Sequence, residues 1–379
     1  MVWEAGAVMA EAGVKERLEQ LLGYLGHDPE NTMLLRDTAQ AAMDADDLAQ
    51  AQDLFARLRN LGALTDADSN QWAIAAMRAG QPAIAAETFA GLLEQRPDDP
   101  ALRFNLAWAR AMAGDPAGAR ALLDQALVEA LPQAAQLEIH LMHSAGEFEE
   151  AAARARAHLQ LFPDYPPLLA AISVLALDVE DEALARDCAQ RAGGHPDAIT
   201  TLATLDLAED GPQRAKPMFE QALAINNRSP RAWVGLGLAE LAAGDGTQAG
   251  HHLDQGAEIF GDHLGSWIAA GWAYLTAGDA AKARERFEHA VALDDTFAEA
   301  QGSLAVIEVL QGERASAERR TEVALRLDRK CFSAAFAKAL LSRGDGDAQS
   351  AQQIVEIALK QPIGPDGTTL AEAIARMAR

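Results

Sequence analysis

The sequence returns to the same phase every 34 residues, and that period constrains the fold more than any other feature. Gly80 and Gly114 stand one period apart, and Gly244, Gly278, Gly312 and Gly346 continue the interval, most of them inside an Ala-x-Gly-Asp or similar turn. A period of this length is one supersecondary unit stacked many times, because a unit too small to bury its own apolar face buries it against its neighbours. Such a stack has a long surface and no obvious catalytic pocket. The question becomes what lies on that surface.

The residues around each glycine identify the unit. With the glycine turn taken as position 15, residues 264–297 place Trp267 at 4, Gly271 at 8, Tyr274 at 11, Ala283 at 20, Phe287 at 24 and Ala290 at 27. The preceding unit has Trp233, Leu236, Gly237, Ala249 and Leu253 in the same phase. Residues 66–99 keep Gly80, Ala85, Phe89 and Pro97, and residues 132–165 keep Gly146, Ala151 and Pro163. This pattern resembles the tetratricopeptide-repeat family, with large residues filling the gap between two helices and small ones where helices approach closely. The resemblance implies an all-α, right-handed α-solenoid of about ten helix-turn-helix repeats.

Carried along the chain, the phase starts units near Thr32, Asp66, Pro100, Pro132, Pro166, Pro196, Pro230, Leu264, Ala298 and Phe332, so tandem repeats cover 32–365. The spacing shortens before Pro132 and again before Pro196. Acidic residues replace the glycine turn over Asp178 to Ala183, which is read as a trimmed turn and the weak point of a continuous solenoid. Ahead of the repeats, Val14, Leu18, Leu21, Leu22 and Leu25 fall at helical spacing and stop at Asp28-Pro29, so residues 1–31 supply an N-terminal capping helix. Behind them Pro362 to Pro365 break the chain. Thr369 with Glu372 then forms a capping-box pattern, and Leu370, Ile374 and Met377 line one face of a C-terminal capping helix over 366–379. Capped ends keep an apolar repeat face out of water.

Composition and charge exclude several classes. No run of about 18 apolar residues exists, so no transmembrane segment is expected. The start, Met1 to Glu4, lacks the basic stretch and apolar core of a secretory signal. A cytoplasmic location is expected, with a periplasmic one as the alternative if a leader preceded this sequence. Six lysines against 26 arginines in an alanine-rich background suit a GC-rich bacterial source. Cys188 and Cys331 stand too far apart in a stack of neighbours to form a disulfide, and read as two helix-packed thiols. The net charge is −24. Nucleic acid is therefore not the expected partner, because phosphates need clustered cations. Arg314, Arg319, Arg320, Arg326, Arg329 and Lys330 do cluster, and they read as a solvated convex face, with docking to an acidic partner as the alternative.

Motifs that carry chemistry are scarce, so the chain reads as a non-enzyme without cofactor or metal. Gly235 and Gly237 sit inside a repeat's first helix as packing glycines rather than in a phosphate loop. His140 and His143 share one helix face and His251-His252 form a second pair, but no further zinc ligand stands at suitable spacing. No Gly-x-Ser-x-Gly nucleophile elbow occurs.

The resemblance implies that first helices line a concave groove through positions 2, 5, 9 and 12. The face so marked begins with Asn70, Ile74 and Met77, then Phe104 and Trp108, then Gln136, His140 and His143, then Thr200 and Thr204. It turns apolar at Val234, Leu238 and Leu241, followed by Ile268, Trp272 and Leu275, then Val306 and Val309, then Phe336 and Leu340. Trp108 and Trp272 lie outside the family's packing positions, so each is read either as a binding anchor or as packing between first helices. The carboxylate clamp of the family's chaperone-tail binders does not carry over. Its positions hold Arg36, Gln40, Gln71, Ala101 and Asn105, with one cation where the clamp has three.

A basic or amphipathic helix therefore suits this acidic groove better than an acidic tail. Two readings follow. The chain is a protein–protein interaction scaffold or adaptor, or it is a structural component of a bacterial envelope, secretion or polysaccharide-export assembly, in which case a homo-oligomer is expected. Trp272, with Ile268, Leu275 and Phe336, is the expected apolar floor for a partner's anchors.

Overall fold

The computed structural model describes residues 2–209 and 211–360, with side chains from residue 13 onward. Among the described residues there are 22 helices and no strand. After an N-terminal helix, Val2–His27, ten helices begin at the positions the 34-residue phase marks: Thr32–Asp44, Asp66–Arg78, Pro100–Met112, Pro132–Ser144, Pro166–Asp178, Pro196–Glu209, Pro230–Ala242, Leu264–Thr276, Ala298–Leu310 and Phe332–Gly344. Each is the first helix of a repeat and is followed by its second. The expected C-terminal features, Pro362 to Pro365, Thr369, Leu370, Glu372, Ile374 and Met377, lie outside the described residues.

The Gly-Asp turn explains why each first helix stops and the next starts. In the second repeat, Gly80 takes φ of 72° while its N–H donates to Met77 O and the Gln81 N–H donates to Ala76 O. Glycine enters this left-handed region without a Cβ penalty. The aspartate that commonly follows the turn caps the second helix: Asp115 accepts from the Gly118 N–H, Asp245 from Gln248, Asp279 from Lys282 and Asp347 from Ser350. Proline at the first helical position, as at Pro100, Pro132, Pro166 and Pro230, starts the helix with φ already set and at no hydrogen-bond cost, because the N–H it lacks has no helical acceptor there.

Two departures correct the expected trimmed turns. The acidic turn over Asp178 to Ala183 is not shortened. Glu180 itself adopts φ of 60°, and its hydrogen bonds to Leu177 O and, from Asp181, to Ala176 O repeat those around Gly80. The missing residues lie instead in the second helix of that repeat, Glu182–Ala192, which ends at Gly193. Before Pro132 the second helix is broken into Pro116–Arg120 and Gln125–Ala130. Asp124 holds the break by capping the Leu127 N–H and accepting from Arg103 at 2.6 Å. Asp46, one period before Gly80, likewise takes the left-handed slot with φ of 58°.

The helices group into two compact units, Met1–Pro163 and Asp164–Arg379. In the first, Leu18 and Leu25 of the N-terminal helix are buried against Leu35, Leu54 and Phe55 of the first repeat, with Leu21 and Leu22 packed alongside. In the second, phenylalanines 219 and 287 sit fully buried under glycines of the first helices. A Cβ at Gly235 would fall 2.2 Å from the Phe219 ring, and one at Gly271 would fall 2.3 Å from that of Phe287. These contacts are why the Gly235 segment is a helix-packing surface.

Candidate partner-binding surfaces

The first helices of the Asp164–Arg379 unit present an apolar row that is only half covered. Val234, Leu238, Ile268, Leu275 and Phe336 are all half-buried. Trp272 is half-buried too, and it is tied into the fold: its indole N–H donates to Ser303 Oγ at 3.1 Å, and its ring lies 5.8 Å from Phe287 and 6.2 Å from Phe336. One part of the ring is therefore packing and the other part surface. Trp267 is core, with its N–H on Gly261 O at 2.9 Å and its ring 4.4 Å from that of His289. Val306 departs from the expectation of a groove-lining side chain. It is 0% exposed, beneath Trp272, Leu275, Phe336 and Leu340, and supports the row from below.

At one end of this row the first helices of repeats 5, 6 and 7 border an open pocket of about 480 Å³. Its walls include Val174, Leu177, Leu207, Val234 and Leu238, and buried Phe219 and Gly235 also line it. In the middle of the repeat 6 wall stand Thr200, Thr201 and Thr204, whose small side chains open the space. Phe260, Asp178, Asp197, Arg231 and His263 complete the lining. The Arg231 guanidinium donates to both Asp178 oxygens, at 3.2 and 2.6 Å, and so joins repeat 7 to repeat 5 past repeat 6. Burial, and then the nearby Arg231 charge, hold the His263 imidazole below its ordinary pKa.

A second polar feature runs through the same unit and escaped the reading of the sequence. Asp206, Glu240, Tyr274 and Glu308 recur at 34-residue spacing, as do His252, Arg286 and Arg320. Buried Glu240 meets Lys216 at 3.1 Å and His252 Nδ1 at 2.6 Å. Asp254 accepts from Tyr274 Oη at 2.7 Å and from two nitrogens of Arg286 at 2.7 and 2.8 Å. Burial, then the bond to Asp254, push the Tyr274 phenol well above its ordinary pKa. Glu308 accepts from Arg320 Nε at 2.9 Å. In so acidic a chain the carboxylates looked uninformative, but their shared period with the bases was the available signal.

The sequence candidates in the Met1–Pro163 unit form a different surface. Trp108 is exposed and stands 6.2 Å from half-buried Phe104. His140 is exposed, while His143 is half-buried with its ring 5.6 Å from that of Phe148. Arg36, at the chaperone-clamp position, donates to Asp68 at 2.8 Å and to Ala63 O, and is thereby committed to the joint between repeats 1 and 2.

The arginine cluster near the C-terminus is largely engaged within the chain. Arg314 pairs with Glu318 and Asp345, Arg320 with Glu308 and Gln301, and Arg326 with Glu322. Burial pushes the Cys188 thiol up to about 11 and the Cys331 thiol up to about 12, and both are buried and unpaired with each other. Among the described residues, no helix is long and apolar enough to cross a membrane.

Two family models for the tetratricopeptide repeat match residues 70–135 and 206–267. No curated protein matches the sequence. Similar solved structures include a monomeric IFIT1 mutant with Gppp-AAAA, at 13% identity and a TM-score of 0.54, with 86% of this chain and 90% of that chain covered. The human IFIT1 dimer with PPP-AAAA aligns at 13% identity and a TM-score of 0.50, with 92% and 94% covered. At such identity the likeness shows the fold, a helical-repeat solenoid.

Proposed function

We propose that this chain, which is built from tetratricopeptide repeats, is a non-enzymatic scaffold or adaptor that holds a partner peptide or amphipathic helix against the first helices of its Asp164–Arg379 unit. The observation that carries this reading is the half-covered apolar row, Val234, Leu238, Ile268, Trp272, Leu275 and Phe336. Hydrophobic side chains aligned on one face with water on one side are what an amphipathic helix buries when it enters a groove. The net charge of −24 favours a basic partner. It also weighs against the phosphate-bearing ligands with which IFIT1 was solved, since this chain offers little clustered positive charge to neutralise them.

Affinity purification with mass spectrometry would identify the partner, and calorimetry on the purified pair would test the surface. Truncating a hot-spot aromatic costs about 2 kcal/mol or more, roughly a thirtyfold loss of affinity. Trp272→Ala and Phe336→Ala should each approach that loss. Because Trp272 also packs on Phe287, its truncation should lower the melting temperature as well, and Phe336→Ala serves as the separate check. Unchanged affinity in both variants would place the interface elsewhere. Light scattering bears on the same question: a monomer accords with an adaptor, whereas a concentration-independent oligomer would favour an assembly component.

A further inference from the structure

We propose that the cavity between repeats 5 and 7 is an anchor pocket for a basic amphipathic peptide, in which one apolar side chain enters beside Thr200 and Thr204 and a neighbouring peptide cation replaces Arg231 at Asp178. This rests on the reading of the first-helix face as a partner groove, and adds where the anchor seats and what reads its charge.

The interior calls for an apolar occupant. Thr200 and Thr204 spend their hydroxyls on backbone carbonyls of their own helix, Pro196 O and Thr200 O, both at 2.9 Å. The Thr201 hydroxyl pairs with Ser173 at 3.0 Å. What these threonines leave for a ligand is therefore carbon, matching the leucine and valine walls. A volume of about 480 Å³ is ample for a leucine or phenylalanine side chain, and lies within the usual range of ligand pockets.

The polar lining calls for a cation. Two carboxylates, Asp178 and Asp197, line the pocket with one guanidinium, that of Arg231, which pairs with Asp178, while Asp197 lies 3.9 Å from the His195 imidazole. Arg231 reaches Asp178 from two repeats away, and both side chains are substantially exposed, at 41% and 28%. The pair is open to water and screened by it, so a Lys or Arg delivered by a bound peptide can exchange for Arg231. Arg231 thus acts as an internal stand-in for the partner's charge.

The test uses the full chain and a fluorescein-labelled 18-residue peptide of leucine and lysine with every leucine on one helical face. A leucine–glutamate counterpart is the control, and anisotropy gives the affinities. Thr204→Leu fills the pocket and should weaken the leucine–lysine peptide by roughly tenfold, about one anchor's contribution. Thr204→Val keeps the shape and removes only a hydroxyl bonded to its own helix, so it should leave binding within about twofold and guards against a folding artefact. Arg231→Gln should strengthen binding severalfold, because it removes the competing cation from Asp178. Weakened binding in Arg231→Gln, or tighter binding of the leucine–glutamate peptide, would overturn the charge assignment. If Trp272→Ala weakens the peptide but Thr204→Leu does not, the pocket is wrong and the groove stands. If the leucine–lysine peptide fails to bind at all, the groove reading falls for this class of partner, and the pocket with it.

Discussion

The two units are made of the same repeat but treat one of its slots in opposite ways. At position 11 the first four repeats carry Ala42, Ala76, Arg110 and Met142, whereas repeats 6 to 9 carry Asp206, Glu240, Tyr274 and Glu308. In the later unit these side chains are buried: Asp206, Glu240 and Glu308 are bonded to bases of the second helices, and Tyr274 donates to Asp254, which in turn holds Arg286. Polar pairing there is internal, and the first-helix face is left to apolar residues. The earlier unit buries Asp68 against Arg36 and Glu138 against His158 at other positions, joins further repeats through exposed pairs such as Arg78–Asp46 and Arg120–Glu147, and mixes Trp108 with His140 and His143 on its first-helix face. A repeat therefore fixes where a side chain sits but not whether that position serves cohesion or recognition.

The largest effect expected from this contrast follows removal of a base from the internal pairs. Arg286→Ala leaves buried Asp254 with only the Tyr274 hydroxyl, and an uncompensated buried carboxylate costs about 3 kcal/mol. Arg78→Ala, in the other unit, breaks a pair whose partners are 44% and 76% exposed and should cost at most about 1 kcal/mol. The two thiols provide a local readout, since both lie in the Asp164–Arg379 unit and are buried with pKa values pushed up to about 11 and 12. Thiol labelling in urea should shift strongly to lower denaturant for Arg286→Ala. An equally large shift for Arg78→Ala in the global urea transition would remove the distinction between the units.

Much of this architecture was legible because the helix boundaries are written in short-range chemistry. The prolines at 100, 132, 166, 196 and 230 and the Gly-Asp turns mark starts and stops without any knowledge of packing. Depth was harder. Val306 and Trp272 both stand at position 9 of their repeats, yet one is fully covered and the other half open. Periodicity assigns a face, but cover depends on the bulk of the next repeat, where Phe336 and Leu340 lie over Val306. The pocket was hidden for the same reason. Thr200 and Thr204 were visible as groove residues, while the space they leave depends on the larger side chains that flank them. Glu180 was hidden by its type, although it stands one period after Gly146.

The smallest expected effect separates the units by their two exceptional turns. A left-handed conformation costs a residue with a Cβ about 1–2 kcal/mol, less for aspartate, and glycine returns part of that gain by loosening the unfolded chain. Glu180 is exposed at φ of 60°. Glu180→Gly should therefore stabilise the Asp164–Arg379 unit by up to about 1 kcal/mol, read as delayed thiol labelling. Asp46 has φ of 58°, but it tolerates that geometry better and also accepts from Arg78 at 2.8 Å. Asp46→Gly should accordingly gain less, or nothing, in the global urea transition. If Asp46→Gly stabilises more than Glu180→Gly, the strain at the acidic turn is relieved by its surroundings, and that turn is no weaker than the glycine turns it replaces.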